Sequence, residues 1–143
     1  MSAALRTFPG RGSLNTSAVT GRTSTSRPTP PVEPHGGGGI LLSSTGIATV
    51  INSTISGNHA DLSTIGAGGG IFNFGNLTVT NSTISDNTAS VGGGAVYNDS
   101  GGQRAQIGDT VLNAGASGGT IFNNGGTVTS LGYNLASDNG VVF

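Results

Sequence analysis

The sequence contains few side chains that could do chemistry, and the acidic ones are the first to consider. Several carboxylates brought together by the fold could bind Ca²⁺, and a basic residue beside them could accept a proton from a substrate. The acidic residues are Glu33, Asp61, Asp86, Asp99, Asp109 and Asp138. Whether they form such a site depends on which of them share one face of the fold.

Two histidines and several glycine runs are the other candidates. His35 and His59 are 24 residues apart, and two imidazoles with a carboxylate could hold a metal ion. His35, however, adjoins four glycines and His59 lies in a stretch of variable length, so we expect both in solvated loops. No Gly-Lys-Ser/Thr follows any glycine run, which excludes a phosphate-binding loop. We predict no bound metal and no cofactor.

The composition indicates a structural protein and not an enzyme. Of the 143 residues, 27 are glycine and 8% are charged, against about 25% charged residues in an ordinary soluble domain. The net charge of −1 gives no basic surface for nucleic acid. The chain has no cysteine, so it can form neither a disulfide framework nor a thiolate metal site. No apolar run approaches the ~18 residues of a membrane span.

The first 35 residues differ from the rest. They are rich in Ser, Thr, Arg and Pro, with Pro28, Pro30, Pro31 and Pro34 close together. Neither helical nor strand periodicity is sustained, so we predict a disordered extension over residues 1–35. Its apolar stretch at Ala3-Ala4-Leu5 is too short for a secretory signal peptide, so we expect none.

Residues 36–143 are a repeat with a period of about 25 residues. Copies start near residues 37, 68, 92 and 118, each at a glycine run followed, directly or after one residue, by two apolar or aromatic residues. Two Asn-Ser-Thr-Ile-Ser blocks, at 52–56 and 81–85, lie 29 residues apart. The additional residues fall in the stretch 59–67, and confining length variation to one loop is typical of a solenoid.

Each repeat has the pattern of short strands separated by Gly and Asn corners. Leu77 and Val79 alternate with Thr78 and Thr80, which is strand periodicity, and a bend is expected at Asn81. Stacking the copies about 4.8 Å apart pairs each strand in parallel with its equivalent. The predicted fold is therefore all-β, a parallel β-helix of about four coils.

Stacking turns equivalent positions into columns. One column should be buried in the core, a second should stack large side chains beside it, and a third should form a ladder of amides at a corner. The core column is Ile40, Ile71, Val96 and Ile121; the stacked column is Leu41, Phe72, Tyr97 and Phe122; the amide ladder is Asn73, Asn98 and Asn123.

The same alignment separates the acidic residues. It places Asp86 at a corner after a strand, Asp99 just after the asparagine ladder, and Asp109 inside a strand opposite Ser82. Arg104 is the only basic residue within the repeats. We therefore predict turn and corner aspartates, and no catalytic residues.

Outward-facing hydroxyls could order water and bind ice if the same Thr recurred on successive coils. The positions concerned are Thr78, Thr80, Thr83 and Ser85. Only one block repeats well, and on two coils alone, so ordinary strand preference for Thr is the better explanation.

The glycine-rich starts and the Asn-Ser-Thr-Ile-Ser blocks resemble the repeats of bacterial right-handed parallel β-helix surface proteins. That group includes proteins with polymorphic outer-membrane protein-like repeats and secreted proteins of the CSLREA and choice-of-anchor Q types. The ending Ser130–Asp138 is similar to the segment that follows the last coil in such proteins. The resemblance implies that the parallel β-helix is right-handed, and that the parent is an exported or surface-displayed protein with more coils, of which this chain would be a fragment.

The expected function is therefore a non-catalytic structural or adhesive module, extracellular or on the cell surface. Its partners would be carbohydrate or other cell-surface components, with Phe74 and Tyr97 as candidate aromatic platforms for sugar. The pectin-lyase-like enzymes share this fold, so the alternatives are a remnant of a polysaccharide lyase or hydrolase and a truncated paralogue without independent function. A short stack has unpaired strand edges at both ends. We therefore expect marginal stability or end-to-end self-association, unless the N-terminal segment or residues 141–143 form a cap.

Overall fold

The computed structural model describes residues 13–22, 38–60, 66–100 and 104–138, the first of these ranges by its backbone. In these ranges all regular structure is β and no helix occurs. The strands are β1 (Ser13–Arg22), β2 (Ile40–Leu42), β3 (Ile47–Ser56), β4 (His59–Ala60), β5 (Ile71–Asn73), β6 (Asn76–Thr80), β7 (Thr83–Ala89), β8 (Val96–Asn98), β9 (Arg104–Gly108), β10 (Val111–Ala114), β11 (Ile121–Asn123), β12 (Thr127–Gly132) and β13 (Leu135–Ala136).

The strands from β2 onward stack in parallel as a β-solenoid, which confirms the predicted fold class. One face is made by β2, β5, β8 and β11, in that order. The other two faces share β3, whose first half pairs with β6 and whose second half pairs with β7. These two faces continue through β9 and β12 and through β10 and β13, respectively. The result is three complete turns and a fourth turn that is paired on one side by the described strands.

The core is a set of vertical columns, one aliphatic side chain per turn. On the first face, Ile40, Ile71 and Val96 are in register and at most 1% exposed, and Ile121 packs against them at the end of the stack. Alternation along the second face buries Leu77, whose neighbours in β6 point outward. Burial of one such side chain contributes about 1.5–3 kcal/mol, and stacking repeats that contribution in every turn.

The structure differs from the expected disordered extension at Ser13–Arg22. These residues form β1, which pairs antiparallel with β3 along its whole length, from Ser13 opposite Ser56 to Arg22 opposite Ile47. The outer edge of β3 offers a row of unpaired backbone groups, and a polar segment rich in Ser and Thr can satisfy them without strict apolar alternation. The rest of the extension lies outside the described residues, as do residues 141–143.

Candidate functional site

A shallow groove runs along the corner between the second and third faces of the solenoid. It has a volume of about 490 Å³ and spans the first three turns. Its lining residues are Asn52, Ser53, Thr54, Asn81, Ser82, Thr83, Asp109 and Val111.

The corner is built by a left-handed residue in each turn. Asn52, Asn81 and Asp109 have φ of 50°, 47° and 49°, and Tyr133 has 55° at the equivalent place in the fourth turn. Asn and Asp adopt this conformation at lower cost than other non-glycine residues, which explains their presence here. The backbone therefore holds three amide or carboxylate side chains one above another on the outer surface.

The next residue in each turn points inward and ties the corner together. Ser53, Ser82 and Thr110 are at most 5% exposed. Each hydroxyl donates to the carbonyl two residues earlier, at 2.8, 2.8 and 2.7 Å, respectively. The N–H of Ser53 also donates to Ser82 Oγ at 3.2 Å, which links successive turns. This inner column makes the groove floor a rigid, hydrogen-bonded surface.

Two of the outer side chains are already paired with each other. The Asn81 amide donates to Asn52 Oδ1 across one turn, and both residues are exposed. The groove thus presents amide and hydroxyl groups at the spacing of parallel strands, about 4.8 Å. Such a surface can donate hydrogen bonds to, and accept them from, a ligand rich in hydroxyl groups.

The position of Asp109 in the structure differs from the one that the sequence repeats predict. The repeat pattern predicts Asp109 inside a strand opposite Ser82, whereas it lies at the corner opposite Asn81, and Thr110 occupies the position of Ser82. The physical reason is that Asp can supply the left-handed φ that Asn supplies in the earlier turns. This shift of one residue brings a carboxylate into the groove.

The other described carboxylates lie in different columns. Asp86 is exposed at a bend within β7, with φ of 55°, one turn after Gly57. Asp99 follows β8 and accepts a hydrogen bond from Ser100 Oγ at 3.0 Å. Asp138 accepts hydrogen bonds from Thr120, from N–H at 2.8 Å and from Oγ1 at 2.5 Å. Over the described parts of the chain, no three His, Cys, Asp or Glu side chains gather where they could hold a metal ion.

The remaining charged candidates are placed as follows. Arg104 is exposed at the start of β9. His59 lies in the short strand β4 and not in a loop, because β4 pairs in parallel with β7. Its Nδ1 is 2.6 Å from Thr88 Oγ1. Glu33, His35 and Asp61 lie outside the described residues.

The asparagine ladder stands at a second corner, where the first face ends. Asn73 Nδ2 donates to Asn98 Oδ1 at 2.7 Å, and Asn98 Nδ2 donates to Asn123 Oδ1 at 2.9 Å. Asn73 Oδ1 accepts from the N–H of Gly75 at 3.0 Å, which closes the turn. Asn73 and Asn98 are fully buried, so this ladder is part of the scaffold.

A third corner contains an asparagine pair that sequence reasoning did not single out. Asn58 Nδ2 and the Asn58 N–H both donate to Asn87 Oδ1 at 3.0 Å, and Asn87 Nδ2 donates to the Ile55 carbonyl at 2.9 Å. The signal was available, because Asn58 and Asn87 have the same 29-residue spacing as the two Asn-Ser-Thr-Ile-Ser blocks.

The predicted aromatic column is present, but it does not form the platform expected at Tyr97. The rings of Phe72 and Tyr97 stack at 4.8 Å, and those of Tyr97 and Phe122 at 5.2 Å. Tyr97 is 8% exposed and packs in one cluster with Ala67, Phe72 and Phe74. Burial, and then the negative charge of Asp99, raise the pKa of the Tyr97 hydroxyl. The prediction of a sugar platform at Tyr97 is therefore wrong, and the exposed ring of the column is Phe122, at 42%.

The outward threonines form mixed columns. Thr78 is followed by Gln106 in the next turn, and Thr80 is followed by Gly108. The third face likewise places Thr83 beside Val111. These interrupted columns do not supply the uniform threonine face that ice binding needs.

Comparison with known proteins gives no relative from which a function could be taken. No protein-family model, no curated protein and no solved structure matches the chain. The described residues contain no helix that is long and apolar enough to cross a membrane. The class of protein is therefore defined by the fold alone, a parallel β-solenoid.

Proposed function

We propose that this chain is a non-catalytic structural or adhesive module of an exported or cell-surface protein, and that its corner groove contacts carbohydrate. The observation that carries the proposal is the groove itself, in which the first two turns repeat an outward amide, Asn52 and Asn81, and an outward hydroxyl, Thr54 and Thr83. The resemblance of the repeats to those of bacterial β-helix surface proteins supports the proposed extracellular location.

The rigidity of the scaffold supports a binding role. The described residues contain no buried side-chain nitrogen or oxygen atom that lacks a hydrogen-bond partner. The polar groups of the groove are held by the backbone of three turns and by the inner hydroxyl column. Preorganised groups lose little conformational freedom on binding, so weak individual hydrogen bonds to a ligand can add up.

The charge of the groove favours a neutral polysaccharide over an acidic one. Asp109 is the charged residue among its lining residues, and it lies at the third-turn end. A neutral chain meets the amides of Asn52 and Asn81 without electrostatic repulsion, whereas a polyuronate would bring its carboxylates close to Asp109.

The test is affinity electrophoresis or calorimetry of the full chain with xylan, a mixed-linkage glucan and polygalacturonate. Replacing both outer amides by glycine, in Asn52→Gly/Asn81→Gly, keeps the left-handed backbone and removes the side chains. Each lost hydrogen bond is worth about 0.5–1.5 kcal/mol, so affinity for the neutral polymer should fall roughly 5- to 140-fold.

The matched control is Gln106→Ala, which shortens a polar side chain on β9 outside the groove. Affinity should be unchanged in this variant. Binding that the double variant leaves intact, or preference for polygalacturonate, would refute the proposed groove. Release of shortened saccharides would instead support the alternative of a polysaccharide-degrading enzyme.

A further inference from the structure

The two ends of the solenoid differ in how the outer edges of their strands are paired. At the first turn, β3 is paired on both edges, by β6 and β7 on one and by β1 on the other. At the fourth turn, β11, β12 and β13 each pair with one strand of the third turn, and no described strand pairs with their outer edges. Open edges of this kind are templates for a further strand.

The open end also exposes apolar side chains. Phe122 is 42% exposed, and Ile121, Val128 and Ala136, which pack against the core in the last turn, are only partly buried. In the interior turns, the residues in register with Phe122 are buried, as Phe72 and Tyr97 show. The fourth turn is therefore a surface to which another turn of the same kind would fit.

The first turn has the matching pattern. The inward column of the second face begins with Ala48 and Leu77 and ends with Val128, and that of the first face begins with Ile40 and ends with Ile121. Placing the first turn of one copy on the fourth turn of another sets Ala48 on Val128 and Ile40 on Ile121. Both columns would continue through the junction with aliphatic contacts.

We propose that β1 is an autoinhibitory cap, and that its release lets the fourth turn of one copy dock on the first turn of a second copy. The docking is parallel and in register, so β3 of one copy pairs with β12 and β13 of the other. Such a contact is heterologous and does not close, so repetition produces a linear filament. The antiparallel direction of β1 sets it apart from the parallel stack. The inference does not depend on what the corner groove binds.

The first test opens the cap in the full chain. Thr16→Pro/Val19→Pro changes two β1 positions of opposite parity, so at least one N–H that faces β3 is lost. Sedimentation velocity over a concentration series should show a monomer for the parent chain and a several-fold rise in average mass for the proline pair. Thr16→Ala/Val19→Ala keeps both N–H groups and should stay monomeric.

A second substitution tests which surface associates. Val128→Lys places a charge in the inward column of the open end, where the side chain can reach solvent in a monomer but not in a junction. Added to the proline pair, it should restore the monomer. Thr129→Lys, one residue along and in the outward column with Gln106, should leave association intact.

Disulfide cross-linking tests the register of the junction between two copies. The chain has no cysteine, and docking places Thr129 of one copy beside Thr49 of the next, so Thr49→Cys/Thr129→Cys should form an intermolecular ladder on oxidation. Within one copy these positions are three turns apart, about 14 Å, which is too far for a disulfide. Faster ladder formation in the proline background is expected.

Three results would overturn the proposal. One is a proline pair that stays monomeric with an unchanged circular dichroism spectrum. Another is association that Val128→Lys and Thr129→Lys affect equally, or that gives no cross-linked ladder. The third is loss of the β-sheet spectrum in the proline pair, because a cap must be removable without unfolding the solenoid.

Discussion

Asparagine is the residue that does most to hold the corners of this solenoid. It satisfies the backbone at one corner through Asn73, at another through Asn87, and supplies left-handed φ at a third through Asn52 and Asn81. An amide offers both a donor and an acceptor, so one copy per turn can hydrogen-bond to the next without a charge.

Removing the middle amide of the buried ladder should therefore be costly. Asn98→Ala leaves Asn123 Oδ1 without its donor and takes from Asn73 Nδ2 one of its two acceptors. We expect a loss of about 2–4 kcal/mol in the free energy of unfolding, measured by urea denaturation. Asn124→Ala, which changes an exposed neighbour, should cost less than about 0.5 kcal/mol. Equal effects of the two substitutions would show that the ladder contributes nothing.

The residues that sequence reasoning located best are those whose type repeats at a fixed spacing. Asn73, Asn98 and Asn123 recur every 25 residues, and the structure places them in one column. Asp109 shows where alignment by residue type fails. The pair Thr110-Val111 resembles Thr83-Ile84, so matching the two pairs misaligns the third turn by one residue. The structure instead pairs Val111 with Thr83, because the corner position accepts Asp109 where the earlier turn has Asn81.

At the level of elements, the glycine segments before β2, β5 and β8 allow successive turns to approach closely. The N–H groups of Gly38, Gly69 and Gly94 donate in sequence to carbonyls of the next turn, at 3.1 Å for Gly38 and Gly94 and 3.0 Å for Gly69. A Cβ built at Gly69 would lie 2.3 Å from the Thr88 carbonyl oxygen and 2.8 Å from that of Gly94. Both contacts are with backbone atoms, which cannot turn aside as a side chain could.

Gly69→Ala should consequently destabilise the protein by about 3 kcal/mol or more, because the backbone of two turns must move apart. Chemical denaturation monitored by circular dichroism is a suitable measurement. Asn76→Ala, at an exposed position at the start of β6, is the control and should change stability by less than about 0.5 kcal/mol. An unchanged midpoint for Gly69→Ala would mean that the segment has room to relax.

The strand β1 is the element that the sequence did not reveal. Strands inside the solenoid can be recognised in the sequence from alternating apolar and polar residues, because one face of each strand is buried. A strand that pairs along an edge is selected by backbone hydrogen bonds, which carry no sequence pattern of their own. Its Ser- and Thr-rich sequence is thus equally typical of an irregular extension, and its pairing partner is visible only in the structure.

For the molecule as a whole, stability should vary from turn to turn. The second turn has a neighbour on both sides throughout, whereas the described strands of the fourth turn pair on one side only. In a stack where each repeat contacts its neighbours alone, the interior repeats are the most protected.

Amide hydrogen exchange, followed residue by residue, can measure that gradient. We expect the slowest exchange in β5, β6 and β7 and the fastest in β11 and β12, since opening the last turn breaks a single interface. The strand β3 should exchange slowly only while β1 is paired with it. Uniform protection from the first turn to the last would indicate that the solenoid unfolds as one cooperative unit.

The columns have a consequence for how such a protein could lengthen over evolutionary time. A tandem duplication of one 25-residue unit adds one member to the aliphatic, aromatic and asparagine columns, and every existing inter-turn contact has an equivalent in the longer chain. Insertion of a single residue within β5 or β8 would instead move the following side chains out of their columns. Recombination between repeats is therefore tolerated in whole turns, and length can vary between the strands, as the connection from Asn98 to Arg104 shows by being longer than its equivalent from Asn73 to Asn76.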